Sequence, residues 1–304
     1  MDPTSEPSRG KTAAQAHLER GFLFEQGGTL QRALDAYTDA LAAEPTREEE
    51  IDARLRIARV YRTTADFVRS AEEAREAVRL ATLIGADDLA AEAMNVEVGV
   101  LQTQGFLEEA DRLALRAIAL ARSPRVRGIT LQNLGRGAAE RREFATSDRY
   151  FEQSIEAFRD AGYELGLAIG LGNAARAALD RGEPAQSISV GEEAIAIARR
   201  LNALDLLLTA VQNQAAALVV LGKLDAAEGL LTEALGHFTS ARNPLRQAEC
   251  LEIMGELSES RPDLETAARC YARALDLATA ANDQRLIDRV TRRLEAVRSA
   301  SSRG

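Results

Sequence analysis

Asn133, Asn173 and Asn213 are spaced 40 residues apart, and Arg136 and Arg176 follow the first two by three positions, so Asn-x-x-Arg occurs twice at one interval. Gln132 and Gln212 stand directly before the first and third asparagine, and Asn95 lies one position out of the same series. An Asn amide offers both a donor and an acceptor. A row of them could hold the C=O and N–H groups of an extended peptide without demanding a particular sequence. Each such bond is worth about 0.5–1.5 kcal/mol net. Three bidentate asparagines would supply a few kcal/mol, consistent with micromolar binding once side-chain pockets contribute. Asparagine is also a poor residue for a helix interior, so three in register imply a use. The competing use is structural: each amide bonds a neighbouring helix backbone and orders the stack. Both readings stay open at the level of sequence.

Charge adds to the pattern. Arg56, Arg59 and Arg62 recur every third residue and, with Arg136 and Arg176, make a basic stretch suited to an acidic partner. Glu249, Glu252, Glu256 and Glu259 make an acidic stripe near the other end. A face polarised in this way would orient a bound peptide. Plain solubility is the alternative.

Other chemistry is sparse. The two histidines, His17 and His237, read as ordinary helix residues. The sequence contains no HExxH, no paired-cysteine motif and no phosphate loop. The glycines of 170–182 are followed by no Lys-Ser/Thr and preceded by no strand pattern. Cys250 and Cys270 are too few for a disulfide framework and read as free thiols. The carboxylates are scattered along helix faces, and no catalytic pair stands out. The expectation is therefore no catalysis, no metal and no cofactor.

The elements that carry these residues form a repeat. Ala33, Ser70, Ala110, Ser147, Ser187, Ala227 and Ala267 share one position, at intervals of 37 or 40. Seven residues later stand Ala40, Ala77, Ala117, Ser154, Ala194, Ala234 and Ala274. Twelve residues before the first series come Gly21, Ala58, Val98, Gly135, Ala175, Ala215 and Gly255. Small residues seven apart lie on one helix face and let two helix axes approach closely. Large residues such as Tyr37, Phe151, Leu231 and Tyr271 fill the space beside them.

This pattern resembles the tetratricopeptide repeat, with a closing proline at Pro45 in the first unit. It departs from the family at the tryptophan position, which holds His17, Arg54, Met94, Leu131, Leu171, Val211 and Leu251. The turn glycine is replaced by Ala65, Arg142 and Pro262, and the period is nearer 40 than 34. The resemblance implies an all-α, right-handed α-solenoid (superhelix) of about seven helix pairs plus a C-terminal capping helix. It further implies a groove lined by the first helix of each pair, at positions two, five, six, nine, twelve and thirteen. The asparagines occupy position six, Asn95 position five, and Arg136 and Arg176 position nine. Asparagine ladders of this kind occur in the long-repeat relatives, the kinesin light chains and the bacterial peptide-pheromone receptors. The chaperone-binding relatives clamp a terminal carboxylate with Lys and Asn, but the Lys positions are not Lys here.

The expected organisation is a disordered lead over 1–13, then repeats at about 14–47, 51–84, 91–122, 128–161, 168–202, 208–241 and 248–281. A capping helix follows over 283–299, with Leu286, Val290, Leu294 and Val297 inward and Arg285, Arg289, Arg292 and Arg293 outward, then a disordered tail over 300–304. No strand pattern and no second domain are read. The net charge of −9 and pI near 5.1 argue against direct nucleic-acid binding. No apolar run is long enough to span a membrane, and the first residues, MDPTSEPSRGKT, do not form a secretory signal. With so few cysteines the expected compartment is a reducing cytoplasm, and the resemblance to the long-repeat class implies a bacterial protein. The functional expectation is a non-catalytic scaffold for a protein or peptide partner. The rivals are a self-assembling subunit that stacks through its terminal repeats, and the sensor half of a bacterial signalling system.

Overall fold

The computed structural model describes residues 11–301 apart from 262 and 282; the side chains of 26, 285 and 301 are also outside the description. The first ten residues of the expected lead, the last three of the expected tail, Pro262, Asn282 and the side chain of Arg285 therefore lie outside the described residues. Among the described residues fifteen helices run in tandem: α1 (Ala13–Gln26), α2 (Leu30–Ala42), α3 (Arg47–Thr63), α4 (Phe67–Leu83), α5 (Asp87–Thr103), α6 (Leu107–Leu120), α7 (Pro124–Glu140) and α8 (Phe144–Asp160) come first. Then follow α9 (Glu164–Asp180), α10 (Pro184–Arg200), α11 (Leu204–Val220), α12 (Leu224–Ser240), α13 (Pro244–Glu259), α14 (Leu264–Ala280) and α15 (Gln284–Ser301). No strand occurs among the described residues.

Where the sequence reading has a single repeat domain, the chain forms two compact units of one architecture, Met1–Ala161 and Gly162–Gly304. Repeat arrays hold chiefly nearest-neighbour contacts, so such a division needs no change of fold. In the first unit each helix packs on the next, and α1, α3, α5 and α7 also touch in series. In the second unit α9, α11 and α13 do the same, and α15 packs on α14.

The local code explains the helices. Thr12 and Thr46 each form a capping box, with Gln15 and Glu49, at the starts of α1 and α3. Pro124, Pro184 and Pro244 occupy the first turns of α7, α10 and α13, where a missing N–H costs nothing. The first helices of the second to seventh pairs begin at 47, 87, 124, 164, 204 and 244. Each start is four residues, about one turn, before the repeat boundaries expected at 51, 91, 128, 168, 208 and 248. The capping residues and prolines lie ahead of the apolar pattern, so that pattern alone marks the start late. Six glycines at turns adopt positive φ, as do Glu44, Ala65, Arg142, Asn202 and Arg242.

Packing follows the small-residue register. All seven residues of the first small series are 0% exposed, and those of the second are 0–1% exposed. The serines there add bonds: Ser70 Oγ donates to Ala58 O at 2.7 Å and Ser147 Oγ to Gly135 O at 2.9 Å. The third series pairs in size with the residue 16 positions on. Gly21, Gly135 and Gly255 lie against the rings of Tyr37, Phe151 and Tyr271. Ala58, Val98 and Ala215 instead stand in register with Ala74, Ala114 and Leu231. Gly191 reverses the order, its missing Cβ lying 3.7 Å from the Cβ of Ala175. In three of the seven repeats the glycine thus makes room for a ring.

At the C-terminal end Leu286, Val290, Leu294 and Val297 of α15 are 0–5% exposed and join the cluster around Tyr271 and Leu251. They form the apolar face expected of a capping helix.

Candidate peptide-binding face

In the first unit the side chains of α5 and α7 build a polar seam. Asn95 of α5 is buried and donates through Nδ2 to Thr130 Oγ1 at 2.8 Å. The Thr130 hydroxyl in turn donates to Val126 O at 3.0 Å. Asn133 of α7 donates through Nδ2 to Asn95 Oδ1 at 3.0 Å. Two turns further along α5, Gln102 is 5% exposed and donates through Nε2 to Asn133 O at 2.7 Å. Its Oε1 accepts from Arg136 Nε at 2.9 Å and also from Arg136 Nη2. Buried amides must find partners, and here two asparagines and a glutamine find them across the α5–α7 boundary. Gln132 is half-buried beside them.

The arginines divide into two groups. Arg56 binds Asp52 at 3.0 Å and lies over the Phe22 ring, 5.4 Å from its centroid. Arg59 pairs with Glu92 at 3.0 Å. Arg62 has no ion pair and no hydrogen bond among the described residues. Its guanidinium rests over Gly99 of α5, in space that a Cβ would occupy. Arg136 is held by the neutral Gln102 amide and has no ion pair among the described residues. Burial pushes the Arg62 guanidinium below its ordinary pKa, with the charges of Arg136 and Arg59 adding to that effect. Burial lowers Arg136 as well, with the charge of Glu140 opposing. Arg62 keeps accessible surface at the face while the surrounding protein desolvates its head.

In the second unit, Asn213 is 7% exposed and donates through Nδ2 to Gly172 O of α9 at 3.2 Å. Asn173 is half-buried and makes no hydrogen bond among the described residues. Arg176 is exposed and pairs with Asp180 at 2.9 Å, one turn along its own helix. Gln212 is exposed. Between α9, α11 and α13 runs a groove of about 360 Å³. Val219, Val220, Ile253 and Leu257 line its apolar part, and Arg176, Gln212 and Glu256 its polar rim. Burial raises the Glu256 carboxyl above its ordinary value, against the pull of Arg293.

The acidic stripe is largely matched from within. Arg246 holds Glu249, Arg289 of α15 grips Glu252 through two bonds of 2.6 Å, and Arg293 binds Glu256 at 2.5 Å. Glu259 accepts the Tyr271 hydroxyl. A stripe expected to face an incoming chain thus seats the capping helix, and Arg289 and Arg293 of that helix are engaged in the same contacts.

Sequence reasoning named Asn95, Asn133, Asn213, Arg62, Arg136, Arg176, Gln132 and Gln212, but missed Gln102, Gly99, Thr130, Val219 and Ile253. Most of the missed residues do stand at groove positions: Gly99 at nine, Gln102 and Val219 at twelve, Ile253 at six. A glycine in mid-helix was the available signal at 99. Among the described residues no cluster of His, Cys, Asp and Glu could hold a metal ion. No described helix is long and apolar enough to cross a membrane.

No family model and no curated protein sequence matches the chain. Solved structures do. A tetratricopeptide repeat protein from Parabacteroides merdae matches at 13% identity, over 94% of this chain and 100% of that one, with a TM-score of 0.57. A Rap protein complexed with competence and sporulation factor matches at 15% identity, over 97% and 77%, with a TM-score of 0.62. BtubC from P. vanneervenii matches at 19% identity, over 73% and 92%, with a TM-score of 0.59. The fold is the all-α solenoid of tetratricopeptide-repeat proteins.

Proposed function

We propose that this chain is a non-catalytic scaffold that binds a protein or peptide segment along the first-helix face of its repeats. The groove between α9, α11 and α13 carries the reading. Its lining at Arg176, Gln212, Asn213, Val219, Val220, Ile253 and Ser260 falls on the positions that line the groove in the repeat family. An apolar floor with a few polar groups at the rim is the usual make-up of a ligand site. The Rap protein matched above is a complex with competence and sporulation factor, which supports a peptide as partner. The arginines of the face favour an acidic one. The sensor half of a signalling system would use this same face. End-to-end assembly through the basic last helix is less supported, because Arg289 and Arg293 are already bonded to α13. The free thiols of Cys250 and Cys270 support a reducing cytoplasm.

The test is selection from a displayed library of random peptides, followed by titration of the enriched sequences. They should bind with dissociation constants of about a micromolar. Ile253→Lys should weaken them tenfold or more while helical content and melting stay at wild-type values. Enriched peptides that bind this variant as well as wild type would remove the groove from the reading.

A further inference from the structure

The first unit holds a second feature that the groove does not use. Arg62 of α3 lies over Gly99 of α5, and Arg136 of α7 is docked on Gln102 of α5. Gly99 and Gln102 are three residues apart, so the two guanidiniums sit about one helical turn from each other along α5. They are close enough for the charge of Arg136 to be felt at Arg62. The chain has 47 acidic residues against 38 basic ones, and it pairs most of its described arginines with carboxylates. Two cations left together without one are therefore not the result of scarcity. Glu140 acts on Arg136 only at a distance and forms no ion pair with it.

The positions are built rather than incidental. Gln102 is fixed from the far side by its bond to Asn133 O at 2.7 Å, and a Cβ on Gly137 would lie 3.2 Å from its Nε2. It therefore presents Oε1 to Arg136, engaging Nε and Nη2 and leaving Nη1 open. Arg62 keeps all five of its N–H donors uncommitted. Guanidinium donors match the planar or tetrahedral oxygens of carboxylate and phosphate. Like charges that repel each other in a partly desolvated place are relieved when an anion enters between them.

We infer that Arg62 and Arg136 form a receiving site for an oxyanion, a phosphate or carboxylate group carried by a peptide on the first-helix face of the first unit, with Gly99 and Gln102 as its positioning residues. The inference deepens the reading that the first-helix face binds a peptide, and it names the chemistry at one place on that face.

The experiment titrates full-length protein with inorganic phosphate and, separately, with acetate, at ionic strength held constant with sodium chloride. The side-chain Nε–Hε NMR signals of arginine are followed and assigned by R62K and R136K. The expected result is that the Arg62 and Arg136 signals move together along one saturating curve. R62Q and R136Q should each weaken that curve about tenfold, the scale of a lost charge-assisted bond. Gly99→Ala retains both charges but pushes the Arg62 head aside, so it too should weaken binding while circular dichroism stays unchanged. Phosphate binding far tighter than acetate points to a phosphorylated residue, and comparable binding points to an acidic one. Shifts that rise linearly on all exposed arginines alike overturn the inference, as does saturation unaffected by R62Q and Gly99→Ala. Those two variants remove no contact that holds the fold, so they decide the matter even if R136Q unfolds. Phosphate binding here together with library peptides indifferent to Ile253→Lys would refute the groove reading alone.

Discussion

Gly135→Ala should destabilise the α7–α8 pair even though alanine is the better helix former. A Cβ at 135 would stand 2.8 Å from both Cδ1 and Cε1 of Phe151. That ring is 2% exposed and cannot swing outward. Overpacking of this kind costs about 1–3 kcal/mol, against a gain of about 1 kcal/mol for replacing a mid-helix glycine by alanine. The net change is a loss of up to about 2 kcal/mol. Gly229→Ala in α12 is the control, because a Cβ there meets nothing within 4 Å; it should gain up to about 1 kcal/mol. The difference between two chemically identical substitutions then isolates the overpacking. A rescue is available from within the chain, since Ala215 and Leu231 occupy the corresponding positions of α11 and α12. The double variant Gly135→Ala with Phe151→Leu should recover at least about 1 kcal/mol relative to the sum of the single changes. Repeat arrays unfold in parts, so peptide-resolved hydrogen exchange is the appropriate assay. Equal gains in protection at α7–α8 and α12 would show that the ring does not fill the space the glycine leaves.

The turns offer a test of sign. Ala65 and Arg142 hold φ of 60° and 62°, a region that costs a non-glycine residue about 1–2 kcal/mol. Ala65→Gly should therefore raise the melting temperature and Gly105→Ala, at φ 82°, lower it; a drop for both would contradict the strain argument. Burial pushes the Cys250 thiol up to about 12, and the side chain donates to Leu231 O at 3.3 Å. Iodoacetamide at pH 8 should label Cys270 in the native protein and Cys250 only after unfolding, as read by mass spectrometry. Hydrogen bonds from Thr12 and from the Thr46 backbone hold Glu49 below its ordinary value of 4.5. A lowered carboxylate lends stability that is present above that value and fades as pH falls through the folded one. Glu49→Gln should thus flatten the acid limb of the melting curve against pH and leave the neutral-to-basic side level. Arg289→Gln strands Glu252, whose side chain is 6% exposed. It should destabilise α15 more than the double change Arg289→Gln with Glu252→Gln does, measured by thermal unfolding.

The repeat was legible because its determinant is volume. Ala33, Ser147 and Ala267 sit where two helix axes approach, and only small side chains fit there, so spacing alone marks the place. The capping helix was legible for a related reason: Leu286, Val290, Leu294 and Val297 form a single apolar stripe. The helix starts were less so. Asp88 shows why: its carboxylate accepts the N–H of Arg122 at 2.6 Å and of Ser123 at 3.1 Å. It thereby fixes where α7 begins from 34 or 35 residues away. A contact of that range leaves no local pattern.

The polar face was half legible, and the reason is geometric. Position six of a first helix lies at the edge between the groove and the adjacent first helix. A side chain there can point to either without a change in spacing, so periodicity identifies the position and says nothing of the direction. The bonds decide it. Asn133 turns to Asn95, and Asn213 to Gly172 O, so both amide nitrogens tie one repeat to the next, while Asn173 keeps its amide uncommitted. The arginines at positions nine and twelve are longer and reach past that edge, and their partners depend on carboxylates from other helices. Arg59 meets Glu92. Arg62, one turn on, meets only a glycine. That single absence of a side chain at 99 opens a place on the face where charge is exposed without a partner. A charge pattern read along one helix could not reveal it, because the residue that creates the vacancy belongs to the next.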